Sequence, residues 1–108
     1  MSTVTMKFGG TSVGSPEAIA TVADIISSEI DNGTRVIVVL SAMSGVTDAL
    51  YNSVREAAKG NRWAYLSCSQ KLRDRHEEVI NLLVRPSKAR DALMADIDNL
   101  LKQHVELC

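Results

Sequence analysis

The sequence predicts an α/β fold: a βαβ start of a parallel sheet, followed by a helical hairpin. Three observations predict it. Val4, Met6 and Phe8 alternate with Thr3, Thr5 and Lys7, the period of two that marks a strand with unlike faces. RVIVVL, Arg35 to Leu40, is a continuous apolar run rich in β-branched residues, which suits a strand covered on both faces, as in a parallel sheet. Between the two runs, Ile19, Val22, Ile26 and Ile30 recur at helical spacing.

The elements follow in order. The first strand ends at Gly9-Gly10. Ser15-Pro16-Glu17 opens a helix: Ser15 caps, Pro16 fits the first turn, and Glu17 suits the positive helix end. Asn32-Gly33 stops it. Strand, helix and second strand make a βαβ unit whose crossover is right-handed, so both strands run the same way. Their C-terminal ends, KFGGTS and SAMSGVTD, therefore open on one edge of the sheet. A second helix starts near Thr47 or Asp48, carries Leu50, Val54 and Ala57, and ends at Gly60. Beyond it the chain is helical. Leu72, Val79, Ile80 and Leu83 share a face, Arg85-Pro86-Ser87 breaks that helix, and Ser87 caps the next, which carries Leu93, Ile97, Leu100, Leu101 and Val105.

Composition narrows the function classes. The 108 residues suffice for one domain, and 45% hydrophobic residues allow a real core. A net charge of −1, with few aromatic residues, argues against nucleic acid or an anionic membrane as partner. Cys68 and Cys108 form neither a disulfide framework nor a zinc pattern, and no apolar stretch has the length of a signal peptide or membrane span. A reducing cytoplasm is the expected compartment.

Two loops carry the chemistry. In Lys7-Phe8-Gly9-Gly10, glycine permits positive φ and removes the Cβ that would block a close ligand, so successive N–H groups can cradle phosphate oxygens. The helix opening near Pro16 aims its positive end at the same region, contributing about 0.3–1 kcal/mol for an anion there. The Lys7 ammonium stands where α/β folds bind ligands and can neutralise charge on a transferring phosphoryl group. This is not a Walker A loop, because the lysine precedes the glycines. The alternative is a plain strand-to-helix turn. In SAMSGVTD, Ser41, Ser44 and Thr47 supply hydroxyls before a helix, which suits a carboxylate or phosphate; the alternative is that Ser44 or Thr47 caps the helix.

Taken together, KFGGTSVGS followed by VIVVLSAMSGVTDAL resembles the N-terminus of the aspartokinases, within the amino acid kinase family. The resemblance is specific over Val4 to Leu50, and from Asn61 onward it is to a helical excursion of similar character. It implies the N-terminal βαβ portion of a parallel three-layer αβα sandwich plus a helical hairpin, a partial domain, with residues 1–60 as a βαβα unit and 61–108 as the hairpin. It implies ATP-dependent phosphorylation of the side-chain carboxylate of L-aspartate to 4-phospho-L-aspartate, which opens the route to lysine, threonine and methionine. Lys7, Gly9, Gly10, Thr11 and Ser12 would then sit on the ATP phosphates, Lys7 as the catalytic charge, and Ser41 and Thr47 would contact aspartate. Mg²⁺ would bridge phosphates with no protein ligand from this chain.

The family pattern continues with a glutamate-bearing loop, adenine-binding strands and a metal-side acid, none of which is in these residues. The chain is therefore expected to be an N-terminal fragment, inactive alone, from a homo-oligomeric parent, and prone to self-association through an open sheet edge. The rival readings are a non-catalytic phosphate- or partner-binding module and another amino acid kinase with a different carboxylate substrate. Elsewhere, His76 is read as a packed or half-exposed helix histidine, His104 as lacking a partner, and KLRDRHEE as a solvated face with i,i+4 pairs. Trp63 and Tyr65 are expected to anchor the hairpin to the sheet unit.

Overall fold

The computed structural model describes residues 1–108. The elements are β1 (Thr3–Phe8), α1 (Pro16–Asp31), β2 (Arg35–Leu40), α2 (Val46–Ala58), α3 (Arg62–Leu83) and α4 (Lys88–Leu107). They form two compact units, Met1–Gly45 and Val46–Cys108.

In the first unit β1 and β2 pair in parallel, with Thr3 opposite Arg35 and Phe8 opposite Leu40. The ladder runs past both strand ends, through Arg35 N to Ser2 O (2.9 Å) and Ser41 N to Phe8 O (3.1 Å). Ser15 caps α1 by accepting from Ala18 N at 3.1 Å, and Pro16 stands in the first turn, where its missing N–H costs nothing. The helix stops in a Schellman turn: Gly33, at φ 81°, donates to Ile30 O and Thr34 donates to Glu29 O.

α1 packs against β2 and buries Val22. Val4, Met6, Phe8, Val36 and Val38 are half-buried, whereas Thr3, Thr5, Lys7 and Arg35 alternate to the exposed face. On that second face β2, whose apolar run is patterned for cover on both sides, is left uncovered. Ile37 is 52% and Val39 46% exposed. A single crossover helix lies over one face of its sheet only, and this unit holds no other helix.

The second unit is three helices, with α2 packed on α3 and α3 on α4. Sequence order groups α2 with the strands; contacts group it with the hairpin, because its apolar stripe meets α3. Val46, Leu72 and Ile80 are buried. One dipeptide makes the α2–α3 corner. Gly60, at φ 78°, closes a second Schellman turn on Ala57 O, with Asn61 N on Glu56 O. Asn61 Oδ1 then accepts from Ala64 N and caps α3. Ser87 caps α4 through Arg90 N. In α4, Ile97, Leu101 and Val105 are half-buried at i, i+4, i+8, while Leu93 and Leu100 flank that stripe and stay exposed.

Side-chain pairs tie these helices. Arg73 bridges Glu77 (3.0 Å) one turn on and Asp98 of α4 (2.6 Å). Its guanidinium pKa is raised, first by the hydrogen bond to Asp98, then by the charges of Asp98 and Glu77. His76 Nδ1 donates to Leu72 O at 2.6 Å, a helix histidine bonded to its own backbone. His104 does have a partner: its Nε2 lies 2.8 Å from the Oγ of Ser53, which is 2% exposed. The Ser53 hydroxyl donates to Leu50 O (2.7 Å), so its oxygen accepts from His104. Trp63, expected as an anchor, is 76% exposed and lies on the rim of the α2–α3 cleft.

Candidate functional site

The parallel register puts both strand-end loops of the first unit at the same edge, and two backbone bonds fix them to each other. Ser41 N donates to Phe8 O, extending the ladder, and Ser44 N donates to Gly10 O at 3.2 Å. Within the first loop Ser12 N donates to Gly9 O (3.1 Å) and Gly14 N to Thr11 O (3.3 Å), so residues 9–14 fold into consecutive tight turns. Val13 points inward and is 6% exposed, pinning the loop to the unit's core.

The glycines divide the work differently from the sequence expectation. Neither Gly9 nor Gly10 has positive φ; Gly33, Gly45 and Gly60 do. At Gly9 an added Cβ would meet nothing within 4 Å, so its backbone faces open space. At Gly10 it would touch Ala42 O at 3.4 Å and Ser44 Cα at 3.5 Å, an ordinary contact with the second loop. At Gly14 it would meet Gly10 O at 3.1 Å and Ser44 Cβ at 3.3 Å. Gly14 is the glycine that lets the two loops close on each other, and sequence reasoning did not single it out. The available signal was a third glycine directly before the Ser15-Pro16 cap.

Lys7, Thr11 and Ser41 are exposed and Ser12 is half-buried. Lys7 lies opposite Val39 on the uncovered sheet face, and its ammonium has no ion-pair partner. Lys7, Gly9, Gly10, Thr11, Ser12 and Ser41 thus occupy one edge of one unit, with an unpaired cation, an open glycine and the N-terminus of α1 following Ser15. Thr47 belongs to the other unit, exposed in the first turn of α2. Because α2 begins at Val46, Thr47 stands inside the turn, not at the capping position. An unpaired lysine near exposed backbone and hydroxyls has the chemistry to receive an anion.

A profile described as the amino acid kinase family matches residues 2–103. The match runs through the helical hairpin, well past the Val4–Leu50 stretch that carries the motif resemblance. Among curated proteins, the chain is 41% identical over 97 residues to the chloroplastic bifunctional aspartokinase/homoserine dehydrogenase 1 of Zea mays, covering 87% of this chain and 10% of that protein. It is 46% identical over 56 residues to an aspartokinase of Geobacillus stearothermophilus, covering 52% of this chain and 14% of that one. It is 54% identical over 50 residues to an aspartate kinase of Pseudomonas fluorescens (strain SBW25), covering 46% of this chain and 12% of that one. The chain thus spans a small part of the length of the relatives it matches.

Proposed function

This chain belongs to the amino acid kinase family, and on that premise we propose that it supplies the phosphate loop and part of the acceptor site of an aspartokinase. The reaction is transfer of the γ-phosphoryl group of ATP to the side-chain carboxylate of L-aspartate, giving 4-phospho-L-aspartate and ADP, a first step toward lysine and threonine. One observation carries the reading: the KFGGTSVGS and SAMSGVTD loops are bonded to each other at one sheet edge, through Ser44 N and Gly10 O. Aspartokinases are among the curated relatives that the chain resembles.

A carboxylate oxygen attacks the γ-phosphorus and the bond to the β-phosphate oxygen breaks. The acceptor is already ionised at neutral pH, so no general base is needed. What the protein must supply is position and charge neutralisation. Lys7 does the second: its unpaired ammonium meets the negative charge on the transferring group. The open backbone at Gly9, with Gly10, Thr11 and Ser12, takes phosphate oxygens, and the N-terminus of α1 adds a favourable field. Ser41 and Thr47 hydrogen-bond aspartate. Mg²⁺ would supply charge neutralisation between phosphates. No group of three or more His, Cys, Asp or Glu that could hold a metal ion stands together in this chain.

The reaction belongs to a longer protein; the 108 residues alone lack the positioning of donor against acceptor and are inactive. That protein works as a homo-oligomer in a reducing cytoplasm. The unpaired edges of the two-stranded sheet, with Ile37, Val39 and Leu40 exposed, favour self-association of the isolated chain, which sedimentation measures. The decisive assay traps acyl phosphate with hydroxylamine, using ATP, Mg²⁺ and a panel of carboxylate amino acids. Aspartyl hydroxamate from the longer protein, and none from this chain, is the expected outcome. Preference for another carboxylate would reassign the substrate. Turnover of about 1 s⁻¹ or more from this chain alone would mean that the catalytic site lies wholly within it.

A further inference from the structure

The cleft between α2 and α3 is lined by none of the strand-end loop residues. It exists because the facing stripes are built from small side chains: Ala49 and Ser53 on α2, Ala64 and Cys68 on α3. Small residues let the helices approach yet leave the space between them unfilled, a cavity of about 330 Å³. The polar atoms in its floor are already used. Ser53 Oγ is shared between Leu50 O and His104 Nε2, and Cys68 Sγ donates to Ala49 O at 3.4 Å. A ligand in the floor therefore meets a surface that behaves as apolar.

The rim is different. Trp63 is 76% exposed there, an indole face available for stacking. Ser67 and Lys71 follow it at i+4 and i+8 on the same side of α3. Lys71 is exposed and forms no ion pair. The one carboxylate on the rim, Glu56, is engaged by Asn61 Nδ2 at 3.0 Å and by Lys59 Nζ at 3.5 Å. The uncompensated charge of the cleft is thus positive. Long helical side chains lean toward the helix N-terminus, the direction in which Ser67 and Trp63 lie from Lys71.

We propose that the α2–α3 cleft is a binding site for a small aromatic carboxylate, its ring against Trp63 and the apolar floor, its carboxylate on Lys71 and Ser67. The site is independent of the proposed kinase reaction. 4-Fluorobenzoate is the probe, followed by its ¹⁹F signal and by emission from Trp63, the sole tryptophan of the chain. Saturable binding that perturbs both signals is expected. 4-Fluorobenzyl alcohol, which keeps the ring and loses the charge, should bind about tenfold more weakly. Lys71→Met should cost about the same factor and Lys71→Arg should recover most of it. Lys71 is exposed, so neither substitution removes a buried contact, and the comparison of acid with alcohol needs no variant. The proposal is overturned by no saturable change up to about 10 mM probe, by equal binding of acid and alcohol, or by Lys71→Met binding like the unaltered chain.

Discussion

The two compact units hold themselves together in opposite ways. Met1–Gly45 is organised by backbone: a parallel ladder, a Schellman turn, and a loop-to-loop bond from Ser44 N to Gly10 O. Val46–Cys108 is organised by side chains reaching between helices: Ser53 with His104, Arg73 with Asp98, Arg90 with Asn81. The first unit leaves its cation Lys7 unpaired and its apolar Ile37 and Val39 exposed; the second pairs Arg73 twice and hides Ser53. Backbone bonding leaves donors and a cation of the first unit free, as the proposed phosphate site requires. A region built as scaffold uses its polar side chains on itself.

The sharpest test of that contrast is Lys7→Ala in the longer active protein. Turnover should fall about 10²- to 10³-fold, the loss of one preorganised charge-stabilising donor, with the thermal midpoint unchanged because Lys7 is exposed and unpaired. Steady-state kinetics beside a melting curve measures both.

Thr47 comes next. Losing a hydrogen bond to a charged ligand group costs about 1.5–3 kcal/mol, so Thr47→Val should raise the aspartate KM by about 10- to 100-fold and leave the ATP KM nearly alone. An unchanged aspartate KM would assign Thr47 to the scaffold.

The glycines separate loop packing from ligand access. Gly14→Ala drives a methyl group against Gly10 O and Ser44 Cβ, and overpacking of that kind costs about 1–3 kcal/mol. Gly9→Ala meets open space, so its folding stability should hold while ATP affinity falls. Urea titrations and nucleotide binding on the two variants give a crossed pattern if Gly9 serves the ligand and Gly14 serves the loops.

In the helical unit, His104→Ala removes the donor to a buried hydroxyl and should cost about 0.5–1.5 kcal/mol. Ile37→Thr on the uncovered sheet face should stay within about 0.5 kcal/mol. The smallest effect belongs to Arg73→Gln. Its pairs with Asp98 and Glu77 are solvent-facing, so the change should shrink as salt is added. The same two carboxylates raise the guanidinium pKa, so while they are ionised its contribution is complete at neutral pH and is lost as pH rises through that raised value in strong alkali. A urea midpoint followed against salt, not pH, is the measurement.

By itself the sequence determined the elements and their punctuation. Ser15-Pro16, Asn32-Gly33, Gly60-Asn61 and Ser87 act through bonds to residues within five positions, so neighbours alone suffice to specify them. It also determined that the two strand-end loops share an edge, since two parallel strands joined by a right-handed crossover permit nothing else. Tertiary structure decided the rest. Positive φ fell at Gly33, Gly45 and Gly60, while Gly14, not Gly9 or Gly10, became the most crowded glycine, where a Cβ would meet Gly10 O of its own loop at 3.1 Å and Ser44 Cβ of the second loop at 3.3 Å. α2 joined the hairpin and not the strands it follows. Trp63 ended on the rim of a cleft, and His104 found Ser53 across 51 residues. Such pairings join residues remote in the chain, where periodicity and capping carry no information and shape in three dimensions selects the partner.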